Sequence, residues 1–132
     1  MDIVGAGIKK LTQNDHSWLD PKSRSHQSGI NLPLKQFSSL FPEIYGAEGS
    51  PRVRLYVKWF DITGKLLAST DNEVVWYNTK RELRLLGIDR GVFSKIASTG
   101  SLVAIYRRNS KAEIRPVPES MEPILEMFKI FP

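Results

Sequence analysis

Two polar, basic segments carry the side chains best suited to chemistry in this sequence. One runs from Lys10, Thr12, Gln13, Asn14 and Asp15 on to Ser25, His26, Gln27, Ser28 and Gly29; the other is Trp76-Tyr77-Asn78-Thr79-Lys80-Arg81-Glu82-Leu83-Arg84. Between Asn78 and Arg84 stand an amide, the Thr79 hydroxyl, the cations Lys80, Arg81 and Arg84, and the Glu82 carboxylate. Arginine pairs with guanine through two hydrogen bonds, Asn or Gln pairs with adenine, and glutamate accepts from the cytosine amino group. Glu82 among cations has two readings: a base contact, or a solvated ion pair with Arg81 or Arg84 worth under about 1 kcal/mol. In the first segment Lys22, Ser23, Arg24 and Ser25 suit phosphate contacts, and His26 and Gln27 suit base edges. An ordinary polar loop has the same composition.

Catalysis finds less support. His16 and His26 have no second His, Cys or carboxylate at metal-ligand spacing. Asp15 is placed to orient His16, but no nucleophile is implied beside them. Nuclease centres cluster carboxylates around magnesium, whereas Asp61 and Asp71 fall in segments that read as turns, where Asp has a local reason to be. No glycine-rich phosphate loop is present. The expectation is a binding domain without an active site, needing no metal or cofactor of its own.

The chain has 132 residues, 41% apolar and 25% charged, ordinary for one globular domain spanning 1–132. Nineteen Lys and Arg against 14 Asp and Glu give a net charge of +5, which favours an anionic partner and speaks to association more than to fold. The absence of cysteine removes disulfides, thiol catalysis and Cys-bound zinc, and fits a reducing cytoplasm. No apolar run reaches the roughly 20 residues of a membrane span, and the N-terminus lacks signal-peptide order. The chain's end at Pro132, directly after an apolar segment, reads as an excision from a longer protein.

The elements that must position these residues are mostly strands. Ile3–Leu11 reads as a first strand, and Thr12–Gln27 as a long loop of the kind that is usually functional or disordered. Gly29–Pro33 reads as a short strand, and Leu34–Phe41 as a helix ended by Pro42. Pro51–Phe60 alternates most clearly: Val53, Leu55, Val57 and Trp59 face inward, and Arg52, Arg54, Tyr56, Lys58 and Phe60 outward. The interleaved rings and cations of that outer face would suit single-strand stacking, although a covering helix is the expected fate of Tyr56 and Phe60. A turn at Asp61–Gly64 leads to a strand over Lys65–Ser69. A turn at Asp71-Asn72 leads to another over Glu73–Tyr77, and Leu83–Ile88 forms a strand beyond the basic loop. Asp89 caps a helix through Ile96. Ser101–Tyr106 and Ala112–Val117 pair across a basic turn, Arg107–Lys111. Ser120–Phe131 is an acidic helix, expected to pack away from any anionic partner. About seven strands at roughly 8–12-residue spacing imply a barrel or sandwich.

Lys10-Leu11-Thr12 with Asn14-Asp15, His26-Gln27, Gly29-Ile30, Pro33 and Leu40-Phe41-Pro42 resemble the amino-terminal effector domain of EcoRII-like type II restriction endonucleases. Tyr77-Asn78, Arg81-Glu82, Arg84 and Arg90-Gly91 follow in similar order, and the resemblance spans roughly Lys9 to Val117. It implies a mainly β, seven-stranded open pseudobarrel with two or three short helices, of the kind shared with plant transcription factors. It further implies two arms that clasp double-stranded DNA from the major-groove side. His26 and Gln27 would lie in the N-arm, and Asn78, Thr79, Lys80, Arg81, Glu82 and Arg84 in the C-arm. The resemblance implies a CCWGG-like site, a monomer, a prokaryotic cytoplasm, and a fused C-terminal nuclease domain where any Mg would act. The chain departs from the pattern in a shorter C-arm, with Leu83 where a lysine would stand, and a longer N-arm containing Trp18 and Pro21. Two other readings remain: a barrel binding RNA or single strands without sequence preference, and a basic protein-interaction domain. A small metal-dependent nuclease comes behind both.

Overall fold

The structure, a computed structural model, describes residues 2–17, 29–96 and 101–127, with side chains through Ile124. Its seven strands are β1 (Val4–Lys10), β2 (Ile30–Leu32), β3 (Arg52–Phe60), β4 (Leu66–Tyr77), β5 (Glu82–Leu86), β6 (Leu102–Arg108) and β7 (Lys111–Pro116). They form one sheet in the order β1-β6-β7-β3-β4-β5-β2. Neighbours are antiparallel except β3 and β7, which run parallel over Tyr56–Trp59 and Lys111–Ile114. The sheet curls into a nearly closed barrel whose seam, between edge strands β1 and β2, is unsealed. The helices are short: α1 (Gln13–His16), α2 (Leu34–Phe37, continued by a 3-10 turn over Ser38–Leu40), α3 (Arg90–Ile96) and α4 (Glu122–Met127). The fold class expected from the sequence is the one found.

Period-two patterning fills the interior. Leu55, Val57 and Trp59 of β3, Val74 and Trp76 of β4, Leu83 and Leu85 of β5, and Ile105 and Ile114 are all buried in one core. Phe37, Leu40 and Phe41 join it from α2 and its continuation, so that stripe is core. The same helix stands against the seam. A Cβ on Gly7 would lie 2.6 Å from Phe37 Cε1, and one on Gly5 2.6 Å from Leu40 Cδ2, so β1 approaches α2 as closely as glycine allows. The Ile8 amide donates to Gln36 Oε1 at 3.3 Å, giving one exposed-edge donor a partner.

Four local expectations are corrected. Asp71-Asn72 is no turn: β4 runs unbroken from Leu66 to Tyr77. Asn72 points inward, 2% exposed, where its amide donates to the Leu86 carbonyl at 2.9 Å and its oxygen accepts from the Thr70 hydroxyl at 2.6 Å. A turn-forming residue is here an internal hydrogen-bonding bracket. Arg107–Lys111 is not a basic turn either, because Arg107 and Arg108 end β6 and Lys111 opens β7. Arg107 is buried, donating to both Glu43 carboxylate oxygens at 2.8 and 2.7 Å and to the Leu40 carbonyl at 2.7 Å. No helix among the described residues covers Tyr56, which is 58% exposed, while the Arg115 guanidinium covers Phe60 at 3.7 Å. The long loop begins with α1, closed by a capping box in which Thr12 and Asp15 exchange hydrogen bonds. The acidic tail is helical through Met127, and its last residues lie outside the described ones. No helix among the described residues is long and apolar enough to cross a membrane.

Candidate nucleic-acid interface

The second polar segment is a tight hairpin between β4 and β5. Tyr77 pairs with Glu82, Trp76 with Leu83 and Val75 with Arg84, leaving Asn78–Arg81 as the turn. The strand therefore starts earlier than its apolar residues imply: Glu82 and Arg84 sit on its outer side while Leu83 is fully buried. Leu83 thus occupies a core position, where a lysine would be costly to bury.

Tertiary contacts hold the turn in shape. Trp76, fully buried, donates its indole N–H to the Ala47 carbonyl at 3.1 Å and to Asn78 Oδ1 at 3.3 Å. The Asn78 amide donates to the Gly49 carbonyl at 3.3 Å. Arg81 has φ of 55°, in the left-handed region that favours glycine. What offsets that cost is its guanidinium, stacked 4.9 Å from the centre of the Trp76 ring and donating to Asn78 Oδ1 at 3.3 Å. Thr79, Lys80 and Arg81 are exposed at the tip, and Lys80 Nζ lies 5.9 Å from the Tyr77 ring centre.

Glu82 pairs with Arg84, its Oε2 3.5 Å from the guanidinium, rather than with Arg81. Both are half-buried on the outer face. Cross-strand register extends that face into a row from Asn31 on β2 through Arg84 and Val75 to Arg52 on β3. Arg52 is held by Glu73 at 2.7 Å. Asn31 was not singled out in the sequence, because its place beside Arg84 depends on the β2–β5 register, which no local pattern reports.

The N-arm residues Lys22, Ser23, Arg24, Ser25, His26 and Gln27 lie outside the described residues. The residues on either side of them are fixed by packing. On one side Lys9 Nζ and Asp15 Oδ2 form a buried ion pair at 3.2 Å, with side chains 4% and 5% exposed. The same carboxylate accepts from the Thr12 amide and hydroxyl. Asp15 therefore anchors the loop and does not orient His16, whose ring packs 5.7 Å from that of Phe93. On the other side a Cβ at Gly29 would stand 2.6 Å from the Leu85 carbonyl oxygen, so only glycine leads into β2 without displacing β5.

Gly29 and the Asn78–Arg81 turn lie at opposite ends of β5. Gly29 precedes Ile30, which pairs with Leu85 near the end of β5; the Asn78–Arg81 turn precedes Glu82 at its start. The separation is the length of β5, about 14 Å, with the Asn31–Arg84–Val75–Arg52 row crossing between. A span of that size is comparable with a major groove of about 12 Å. Among the described residues no group of three or more His, Cys, Asp or Glu is gathered as a metal site.

No family model matches the chain. It is 27% identical over 128 residues to the transcription factor xenB of Xenoacremonium sinensis, the match taking in 91% of this chain. The chain spans 32% of that relative's length.

Proposed function

We propose that this chain is a sequence-specific double-stranded DNA-binding module, the effector or targeting domain of an EcoRII-like restriction endonuclease, reading a CCWGG-like site. Its action is binding alone. The observation that carries the reading is the rigid Asn78–Arg81 turn, its Arg81 stacked on Trp76, with Arg84 behind it on the outer face of β5. Arg81 and Arg84 offer guanine contacts and Glu82 a cytosine contact, while Asn78, its Oδ1 already accepting from Trp76 and Arg81, holds the turn that presents them. Lys22 and Arg24 fix register on phosphates. One asymmetric domain, acting as a monomer, would embrace a whole short site, and a fused nuclease domain would carry any Mg-dependent cleavage. The 27% identity to a transcription factor supports DNA as the partner and favours a second reading, the DNA-binding segment of a transcriptional regulator.

A gel-shift titration near physiological salt tests this. It compares a CCWGG duplex, the same duplex with one G·C pair exchanged, and a single strand. The expected order is tight, weakened and weak. Equal affinity for all three leaves only a basic surface and overturns the reading. Tight binding to a different duplex, recovered by selection from random sequences, would favour the regulator. Arg84→Ala is expected to cost about 1–3 kcal/mol and relax specificity at one position; an equal loss on every duplex makes Arg84 a phosphate contact.

A further inference from the structure

A groove of about 530 Å³ lies on the outer face of β3, β7 and β6, away from the β4–β5 hairpin. That size is within the range of small-ligand sites. Register composes it from two cross-strand rows: Tyr56, Lys111 and Arg108, then Lys58, Glu113 and Tyr106. Val57 and Ala112 contribute to its floor. Tyr56 is 58% and Tyr106 38% exposed, so two aromatic faces are open to solvent in the groove. Glu113 is neutralised by Arg115 at 2.9 Å. Lys58, Lys111 and Arg108 form no ion pair with any described residue, so the groove is net cationic.

Exposed rings beside unpaired cations are what unpaired nucleotides require: π-faces for bases and positive charge for phosphates. Duplex DNA cannot use the rings, because its bases are already stacked on each other. An acidic peptide would satisfy the cations but would need its own ring-bearing side chains to use the tyrosines, whereas every nucleotide brings both a phosphate and a π-face. Tyr56 and Tyr106 stand two strands apart and two residues offset along them, about 12 Å on the diagonal, which sets separate platforms along a strand rather than a clamp on one base. We propose that this groove binds single-stranded nucleic acid, independently of the duplex-reading patch.

Fluorescence anisotropy with labelled dT15 at about 0.1 M salt tests the proposal, with CCWGG duplex affinity measured in parallel. Tyr56→Ala and Tyr106→Ala are each expected to weaken dT15 binding about fivefold or more and to leave duplex affinity unchanged. Tyr56→Phe, which keeps the ring, is expected to bind dT15 like the parent, and Arg84→Ala to lose duplex but not dT15. The proposal is overturned if the alanine variants bind dT15 normally, or if Arg84→Ala weakens dT15 as much as they do. It also falls if dTMP competes as well as the oligonucleotide at equal nucleotide concentration, which would make this a mononucleotide site. Failure of duplex binding with dT15 binding intact would sink the restriction reading and leave this one standing.

Discussion

Lys9 and Asp15 show how a single pair fixes a functional loop. Two ions that are almost wholly buried attract strongly but lose their hydration, so the net stabilisation is small while removal of either partner is costly. Lys9→Met strands the Asp15 carboxylate beside its Thr12 cap. It is expected to lower unfolding free energy by about 3–5 kcal/mol, read by urea denaturation; a loss under about 1 kcal/mol would mean the pair is hydrated in solution. At this scale the sequence was legible where chemistry is local. Asp89 does cap α3, accepting from the Val92 amide at 3.0 Å. It was illegible where the partner is distant: Arg107 resembles any surface cation until Glu43, 64 positions earlier, is seen beside it.

Among elements, the clearest alternation gave the clearest strand, and Val53, Leu55, Val57 and Trp59 do line the inner side of β3. Asp71 and Asn72 carry turn propensity, but their pairing with Tyr56 and Leu55 of β3 overrides it and keeps β4 continuous. The contact of β1 with α2 invites a direct test. Gly7→Ala places a methyl carbon 2.6 Å from the Phe37 ring, and is expected to cost about 1–3 kcal/mol by overpacking. Gly5→Ala meets only the movable Leu40 methyl and should cost less. Thermal melts of the two variants check that order. The hairpin offers a complementary separation of stability from binding. Arg81→Gly relieves the positive φ but removes the stack on Trp76, so stability should stay within about 1 kcal/mol. Duplex affinity should drop by about 1–3 kcal/mol if the guanidinium reads a base. A variant as tight as the parent would exclude Arg81 from the interface.

For the whole molecule, the mainly β class was visible in the spacing of alternating runs, but two of those runs, Lys65–Ser69 and Glu73–Tyr77, are the single strand β4, and the order of strands was not visible. The parallel β3–β7 pair and the pairing of β2 with β5 follow from topology, which short-range patterns do not encode. The tie between β6 and the segment that follows α2 is pH-dependent. The Arg107 guanidinium donates to the Glu43 carboxyl and holds its pKa below the ordinary glutamate value, more than burial raises it. A lowered folded-state pKa means stability present above the unfolded value of about 4.3 and lost as pH falls through the folded one. Melting temperature should therefore fall below about pH 4.3, and the gap between parent and Glu43→Gln should narrow there. A gap constant down to pH 3 would mean that Glu43 is unpaired in solution.

The pairing of β1 with β6 sets a schedule for folding. The Ile3 amide finds its acceptor on Asn109, 106 positions later, and β1 has its strand partner only in β6. On the ribosome, at about 5–20 residues per second, β1 waits on the order of 5–20 s for that partner. Long-range closure of this kind slows folding in general. Until β6 emerges, the glycine-rich first strand is an unpaired edge beside an unfinished core, so β1–β6 docking is the step at which chaperone capture or misassembly would be decided.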